Sequence, residues 1–324
     1  MKIGIVIVLW VMLVLVTISA VALDEVTVQL KWIHQAQFAG FYAAEAQGYY
    51  AEEDIDISFE AGGIGIDIFE GVSEGTITFA VVGADSIVDK RSQGMPITAF
   101  ATLYRINPFV LVAFASSGIA SPYDFPGHVV AVTPGYSEAQ FAAMLSVVGV
   151  DQSSFTVVTY AYDDAAFLAG DIDVTVSFAA GSLLPLKEKI GDQELNVIWP
   201  DDYGVHFYSD TLVANDALLA ENPDLVLRFL RATLRGHQFA IENPEIAIDA
   251  TMPYAVVQDR DVQLAMLEAS IPLIHTGQDH IGWMAPQIWQ DMYDILLNYG
   301  LLDEPFDITT AYTLQFLDAI YHED

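Results

Sequence analysis

"LKWIHQAQFAGFYAAEAQGYY" (residues 30–50) is rich in aromatic and amide side chains and contains a single acid, Glu45. The run "VTVQLKW", residues 26–32, leads into it and alternates apolar with polar residues, as a half-buried strand does. A helical pattern follows from about Gln37 and ends near Gly48, because glycine commonly closes a helix. The stretch therefore predicts a strand, a polar loop and an aromatic helix in direct succession.

The same succession of strand-type and helix-type runs repeats along most of the chain. Further strands are predicted at residues 55–60, 76–83, 97–104, 108–114, 128–135, 155–160, 172–178, 195–200 and 210–214. Helices are predicted at residues 65–75, 85–94, 137–149, 163–170, 223–241, 244–251, 261–274, 285–299 and 308–321. Repeated strand–helix–strand units favour an α/β fold with mainly parallel strands covered by helices on both faces.

Changes of pattern near residues 115 and 207 predict how the chain divides into domains. Its 324 residues are more than one ordinary domain needs. We expect a first lobe made of residues 24–115 and 208–324, with a second lobe, residues 116–207, inserted into it. Two connections between the lobes would form a hinge, and the cleft would lie at the carboxyl ends of the strands.

Residues 1–22 have the composition of a targeting segment. An apolar run at residues 3–16 follows Lys2, and the small-residue motif "AVA" ends the segment. This pattern is typical of a secretory signal peptide cleaved before Leu23, although the run is also long enough for an uncleaved membrane anchor. Both alternatives predict an exported protein, periplasmic or extracellular.

The composition excludes several classes of protein. The chain contains no cysteine, which excludes disulfides, thiol nucleophiles and thiolate metal sites. With 44 acids against 11 Lys and Arg residues, the net charge of −33 disfavours binding to nucleic acid and to anionic membrane surfaces. The seven histidines show no zinc-type spacing, and neither a nucleophile elbow nor a phosphate-binding loop occurs. We therefore expect no enzyme, no metal and no cofactor, and we expect a monomer.

Four segments of the chain resemble bacterial substrate-binding proteins related to the thiamine-pyrimidine synthase and sulfonate-binding family. They are "LKWIHQAQFAGFYAAEAQGYYAEEDIDISFEAGG", "GTITFAVVGADSIVDKRSQGMPITAFATLYRINPFVLVA", "YDDAAFLAGDID" and "DDYGVHFYSDTLVA". The resemblance implies the type II periplasmic binding fold, with two lobes, a hinge and an interlobe cleft. It also implies an ABC importer, whose permease would be the partner, and a small heteroaromatic ligand, a thiamine pyrimidine precursor or riboflavin.

The chain departs from this family in two places. It lacks the cysteine-rich iron-binding motif of the eukaryotic enzymes. The segment "VSFAAGSLLPL", residues 176–186, also lacks the polar Asn-Glu-Pro run expected after the corresponding strand. The first departure counts against catalysis, and the second leaves the identity of the ligand open.

Residues near the carboxyl ends of the predicted strands are the main candidates for ligand contacts. Trp32 would offer an indole face for stacking on a flat ring, and Gln35 and Gln37 would form in-plane hydrogen bonds to it. In the helix, Phe41 is expected to pack in the core, whereas Tyr42 would face the cleft. The full set is Trp32, Gln35, Gln37, Tyr42, Gly83, Asp85, Ser86, Tyr104, Arg105, Gly135, Tyr136, Ser137, Phe178, Tyr203 and His206.

The expected positions of two basic side chains distinguish binding of a heteroaromatic ligand from binding of an anion. We expect Arg105 to be the base of the cleft, and Lys31 to lie on the opposite strand face from Trp32. Binding of a sulfonate or nitrate would require several bases or helix-start donors, so an anion-binding protein is the second hypothesis. A thiamine-pyrimidine synthase-like enzyme is a further alternative, and the missing cysteines and the predicted export count against it.

Overall fold

A computed structural model of the protein describes residues 23–133, 137–302 and 304–322. The targeting segment expected at residues 1–22 therefore lies outside the described residues, as do the site candidates Gly135 and Tyr136. Over the described ranges, none of the helices is both long and apolar enough to cross a membrane.

Strands and helices alternate with few exceptions up to β10, and helices alone follow it in the described ranges. In the described ranges the strands are β1 (Asp24–Gln29), β2 (Ile55–Glu60), β3 (Phe79–Val82), β4 (Ile97–Thr102), β5 (Phe109–Phe114), β6 (Val129–Val132), β7 (Thr156–Thr159), β8 (Val174–Phe178), β9 (Leu195–Ile198) and β10 (Thr211–Asn215). The α-helices are α1 (Ala39–Ala46), α2 (Tyr49–Glu52), α3 (Ile68–Glu74), α4 (Ala84–Ser92), α5 (Glu138–Val148), α6 (Ala165–Ala169), α7 (Leu183–Ile190), α8 (Asp216–Glu221), α9 (Pro223–Glu242), α10 (Pro244–Thr251), α11 (Arg260–Ile274), α12 (Pro286–Asn298) and α13 (Gln315–Tyr321). Sequence periodicity predicts most of these elements but not the short helices α2, α7 and α8.

Two five-stranded sheets form the centres of the two lobes. The first has the order β2-β1-β3-β10-β4, in which β1 pairs in parallel with β2 and β3, and β10 runs antiparallel to its neighbours. The second has the order β7-β6-β8-β5-β9, in which β5 is the reversed strand. Four strands of each sheet thus run in the same direction, as the mainly parallel pattern predicts, and the reversed strand is the one that arrives from the other lobe.

Strand β5 corrects the predicted domain boundary. A division near residue 115 assigns residues 108–114 to the first lobe, whereas β5 pairs with β8 and β9 of the second sheet. The first crossing between the lobes therefore lies at residues 103–108, before β5. The sequence alone could not show this, because a strand that is buried on both faces has the same apolar pattern in either sheet.

The two crossings, residues 103–108 and 199–210, lie side by side. The Leu103 N–H donates to the Asp210 carbonyl over 2.6 Å, and the Ser209 N–H donates to the Tyr104 carbonyl over 3.0 Å. These bonds continue the antiparallel pairing of β4 and β10 beyond the sheet. Two short, paired connections of this kind are a suitable hinge, because few residues absorb the change in backbone angles when the lobes move.

Helix α1 packs closely on α9. Phe38 and Phe41 are fully buried, and the core position of Phe41 is the one expected from the sequence. Gly40 and Gly236 let the two backbones touch, because a Cβ atom on Gly236 would lie 2.2 Å from the Gly40 carbonyl oxygen. This packing fixes the start of α1 and, with it, the loop of residues 30–35 that precedes it.

Candidate ligand-binding site

A cavity of about 320 Å³ lies between the two lobes, beside the carboxyl ends of β1, β6, β7 and β8. Its lining residues are Lys31, Trp32, Gln35, Gln37, Phe109, Thr133, Ser137, Tyr160, Tyr162, Val176, Ser177, Phe178, Gly181, Ser182 and Met266. Both lobes contribute to the walls, so a molecule bound here would contact both. The carboxyl ends of parallel strands are the usual position of ligands in open α/β sheets.

The first-lobe wall is mainly the loop that follows β1. The strand ends at Gln29, and the chain then leaves the sheet through a series of bends before α1 begins. The Gly62 N–H donates to the Trp32 carbonyl over 3.0 Å and holds this loop beside the end of β2. Gln35 Nε2 donates to Gln37 Oε1 over 2.8 Å, so the two amides meet at the cavity as a pair.

Lys31 is the single charged side chain in the described lining of the cavity. Its side chain is 3% exposed and forms an ion pair with Asp210, which is 1% exposed. Lys31 Nζ also donates to Ser209 Oγ over 2.8 Å. Gln37 Nε2 donates to the second carboxylate oxygen of Asp210 over 2.7 Å. The positive charge at the floor of the cavity is therefore balanced by the second crossing, at its junction with the first lobe.

Lys31 and Arg105 correct two expectations drawn from the sequence. Strand alternation places Lys31 on the opposite face from Trp32, yet both line the cavity, because β1 has already ended and alternation no longer applies. Arg105 does not line the cavity. Its guanidinium donates to Thr276 Oγ1 over 2.8 Å and pairs with Asp279 over 2.5 Å.

Aromatic rings form the second-lobe wall. Tyr160 and Tyr162 follow β7, and Phe109 pairs with Phe178 across β5 and β8. Burial raises the pKa of both tyrosines, so they are neutral phenols at physiological pH. Tyr162 has a φ of 57°, a left-handed conformation that costs a bulky residue about 1–3 kcal/mol and is typical of ligand sites. Its ring stacks on Trp32 across the cleft, with centroids 5.8 Å apart and planes inclined by 23°.

Two helices of the second lobe begin beside the cavity. Helices α5 and α7 start directly after Ser137 and Ser182, and both serines line the cavity. Ser182 Oγ accepts the Phe178 N–H over 3.0 Å and lies 2.9 Å from Ser177 Oγ. Backbone N–H groups at helix starts carry partial positive charge, so this wall suits the carbonyl or ring-nitrogen acceptors of a ligand.

Five residues predicted as ligand contacts meet in the cavity lining, namely Trp32, Gln35, Gln37, Ser137 and Phe178. The other described candidates lie outside it, namely Tyr42, Gly83, Asp85, Ser86, Tyr104, Arg105, Tyr203 and His206. Tyr42 is fully buried, stacks on Tyr254 with ring centroids 4.4 Å apart, and has its hydroxyl 2.7 Å from His34 Nδ1. It therefore packs inside the first lobe instead of facing the cleft.

The candidates at the start of α4 and in the first crossing are engaged by other groups of the protein, and Asp85 also bonds Gln140 of α5 in the second lobe. The carboxylate of Asp85 accepts the Ser86 N–H over 2.9 Å, next to Gly83 at the N-terminus of α4. The Tyr104 hydroxyl donates to Ser270 Oγ over 2.7 Å and is fully buried. These side chains lie close to the site but do not form its surface.

Tyr203 and His206 lie in the second crossing, as predicted, but not in the cavity wall. The Tyr203 ring packs edge-on against Tyr123, with centroids 6.5 Å apart. His206 Nδ1 lies 2.7 Å from Asp201 Oδ1 at the surface. Both residues therefore make contacts within the crossing and the second lobe.

The lining residues that the sequence pattern did not predict are Lys31, Phe109, Thr133, Tyr160, Tyr162, Val176, Ser177, Gly181, Ser182 and Met266. Tyr160 and Tyr162 offered a usable signal, because they follow a strand at its carboxyl end, which is the rule that selects Phe178. Met266 reaches the cavity from α11 and has no local signal in the sequence.

The chain is similar over most of its length to proteins named for a ligand or a reaction. The riboflavin-binding protein RibY of Chloroflexus aurantiacus is 28% identical over 307 residues, which cover 91% of this chain and 86% of RibY. The formylaminopyrimidine-binding protein of Halalkalibacterium halodurans is 24% identical over 306 residues, which cover 89% of this chain and 91% of that protein. A 4-amino-5-hydroxymethyl-2-methylpyrimidine phosphate synthase of Legionella pneumophila is 25% identical over 308 residues, which cover 93% of this chain and 95% of the synthase.

Structural comparison confirms the two-lobed type II periplasmic binding fold. The putative periplasmic sulfonate-binding protein SsuA of Methylobacillus flagellatus superposes with a TM-score of 0.71 at 18% identity, covering 93% of this chain and 95% of SsuA. At this identity the likeness shows the fold alone. The model of the NMT1/THI5-like family matches residues 35–247, which is more than half of the chain. The protein therefore belongs to the NMT1/THI5-like family.

Proposed function

We propose that the protein is the extracytoplasmic substrate-binding component of an ABC importer and captures a small heteroaromatic nutrient between its lobes. The observation that carries this proposal is the wall of rings around the cavity: Trp32 from the first lobe, with Phe109, Tyr160, Tyr162 and Phe178 from the second. Flat apolar faces with a few polar groups are typical of sites for aromatic ligands. Two relatives named for riboflavin and formylaminopyrimidine binding support the same ligand class.

The size of the cavity favours a single substituted ring. Its volume of about 320 Å³ is near the lower limit of small-molecule pockets, which run from roughly 300 to 1,000 Å³. At about 30 Å³ per water molecule it holds roughly ten waters, which leaves room for a pyrimidine with its substituents. A flavin would place part of its ring system inside and its sugar-alcohol chain towards the opening. A thiamine pyrimidine precursor is therefore the first ligand to test, and riboflavin is the second.

The polar groups of the cavity would orient such a ring. The amides of Gln35 and Gln37 each offer donors and an acceptor, which match the amino groups and ring nitrogens of a pyrimidine. Ser137 and Ser182 would bond acceptor atoms on the opposite edge, at the starts of α5 and α7. Stacking on Trp32 would contribute about 0.5–1.5 kcal/mol beyond the burial of area.

Closure of the lobes would trap the ligand. Two rings that hold a third between them need about 7 Å between their centroids, twice the contact distance of about 3.5 Å. Trp32 and Tyr162 are 5.8 Å apart, so an entering ring must separate them or stack on an outer face. Contacts to both lobes would then stabilise the closed state over the open one. The paired crossings at residues 103–108 and 199–210 are the proposed hinge.

Anion binding is the second candidate function. Lys31 lies in the cavity lining, and the fold is shared with a putative sulfonate-binding protein. Against this candidate, the Lys31 ammonium is already paired with the Asp210 carboxylate. A pyrimidine synthase is supported by the name of the Legionella relative, but the chain lacks the cysteines of the eukaryotic enzymes. We propose that the protein binds its ligand without transforming it.

Native mass spectrometry of the freshly purified protein would identify a ligand that co-purifies with it. Calorimetric titration with hydroxymethylpyrimidine, riboflavin, taurine and nitrate would then rank the ligand classes. We expect micromolar or tighter binding of a pyrimidine or of riboflavin, about −8 kcal/mol or better, as capture requires. Tighter binding of taurine or nitrate than of both aromatic ligands would contradict the proposed function.

A further inference from the structure

We propose that Asp210 makes the cavity selective against anions by holding Lys31 in an ion pair. The inference rests on the proposed capture of a neutral heteroaromatic ligand, and it names the residue that excludes sulfonates from that site. Asp210 belongs to the second crossing and is absent from the described cavity lining. It therefore acts on the ligand through the side chain that it holds.

Lys31 is placed where a ligand would meet it. Its Nζ lies 5.5 Å from the centre of the Phe178 ring, which belongs to the opposite lobe. The ammonium thus faces the space between the lobes, while Asp210 and Ser209 bond it from the second crossing. A ligand anion would have to share this ammonium with a carboxylate already in contact with it. The repulsion between the two negative charges would oppose its binding.

Hydrogen bonds fix the carboxylate of Asp210 in this position. One oxygen pairs with Lys31 and also accepts the Ser209 hydroxyl over 3.2 Å. The other oxygen accepts Gln37 Nε2 over 2.7 Å. Because both oxygens are engaged and the side chain is buried, Asp210 cannot turn away to leave the ammonium to a ligand. The ion pair is therefore a fixed part of the binding site.

Asp85 is a second carboxyl group close to Lys31. Burial raises its pKa, and the Ser86 N–H, Lys31 and Gln140 lower it by smaller amounts. Asp210 contacts the Lys31 ammonium directly, so it is the carboxylate that balances Lys31. If Asp210 is removed, Asp85 is the carboxyl group that remains close to Lys31. A variant that lacks both carboxyl groups is thus the stricter test.

The test measures the binding of ethanesulfonate and of hydroxymethylpyrimidine by calorimetry. We compare the wild type with Asp210→Asn, with Asp85→Asn/Asp210→Asn and with Lys31→Met/Asp210→Asn. Both variants that keep Lys31 should bind ethanesulfonate at least tenfold more tightly than the wild type, because a hydrogen bond to a charged group changes affinity by roughly ten- to hundredfold. The gain should disappear in Lys31→Met/Asp210→Asn.

Asp279→Asn is the matched control, because it removes a carboxylate from Arg105, which does not line the cavity. This variant should gain no affinity for ethanesulfonate. The proposal is overturned if Asp210→Asn keeps its fold and gains no affinity, or if the gain persists without Lys31. Asp85→Asn/Asp210→Asn, which lacks both carboxyl groups, should gain at least as much affinity for ethanesulfonate as Asp210→Asn does.

The folding of Asp210→Asn is itself informative, because a buried ammonium without its counter-charge is destabilising. A variant that folds only when ethanesulfonate is added supports the proposal, since the anion then replaces the missing carboxylate. If Asp210→Asn and Lys31→Met/Asp210→Asn are both unfolded with and without ethanesulfonate, Asp210 is structural and the proposal is overturned. A wild type that binds ethanesulfonate more tightly than pyrimidine and riboflavin would contradict the proposed function itself.

Discussion

Replacing Trp32 with alanine should weaken ligand binding and leave the fold largely intact. The indole lies in the loop after β1, is only partly buried, and stacks on Tyr162 of the other lobe. The variant removes a stacking face worth about 0.5–1.5 kcal/mol together with apolar area that the ligand would bury. The two contributions add to roughly 1–3 kcal/mol, which corresponds to about a ten- to hundredfold loss in affinity.

Phe41→Ala is the matched control from the same segment of the chain. Phe41 is fully buried and packs edge-on against Phe59 at 5.9 Å and His237 at 5.2 Å. Its truncation leaves a cavity in the core of the first lobe and should lower the free energy of unfolding by about 3–5 kcal/mol. The molecules that remain folded should bind ligand with nearly unchanged affinity.

Both variants are titrated by calorimetry with the ligand identified by mass spectrometry, and both are melted without ligand. The two measurements separate a contact with the ligand from a contribution to stability. If Trp32→Ala binds normally but melts at a lower temperature, the indole is part of the core. The assignment of the cavity as the binding site would then fail at the residue on which it depends most.

Three further predictions follow from the hinge, the cavity and a buried histidine. Saturating ligand should reduce the radius of gyration in small-angle scattering, and an unchanged radius would exclude closure about the two crossings. In thermal-shift assays, pyrimidines or riboflavin should stabilise the protein more than taurine or nitrate, and the reverse order would contradict the ligand class. Burial lowers the pKa of His237 to about 4 from a reference value of 6.5, so the unfolded state binds more protons between these values. Stability should therefore fall as the pH drops from about 6.5 to 4, by up to roughly 3 kcal/mol from this residue. In urea unfolding, His237→Gln should lose less stability over that range than the wild type, and equal losses would show that His237 does not contribute.

The loop and helix at residues 30–50 show what a sequence pattern can predict. The alternation before Trp32 and the helical spacing after Gln37 locate β1 and α1 to within a few residues, because local periodicity reports which face is buried. The same rule misplaces Lys31, since it extends the strand beyond Gln29, where the backbone already bends. Periodicity therefore predicts the elements well and the loops between them poorly, and the first-lobe wall is a loop.

Contacts between distant segments decide the rest of the site. Tyr42 resembles a cleft residue in the sequence, but Tyr254, far along the chain, covers it at a centroid distance of 4.4 Å. Met266 enters the cavity from α11, and β5 joins the second sheet through pairing with β8 and β9. Such contacts cannot be predicted from residues that are adjacent in the sequence, because the packing of a whole lobe determines them. An aromatic side chain at the end of a strand was enough to predict that Phe178 lines the cavity, and the same rule would have predicted Tyr162.

The distribution of charge supports an uncharged ligand. Acids make up 44 of the 324 residues, yet none of the described residues that line the cavity is an acid. A site for a cation would present a carboxylate to its ligand, and a site for an anion would present a base without an internal counter-charge. Lys31, the base in the described lining, is paired with Asp210. Among the described residues the acids thus lie outside the cavity lining, which combines aromatic faces, neutral hydrogen-bonding groups and the internally balanced Lys31, and suits an uncharged ring.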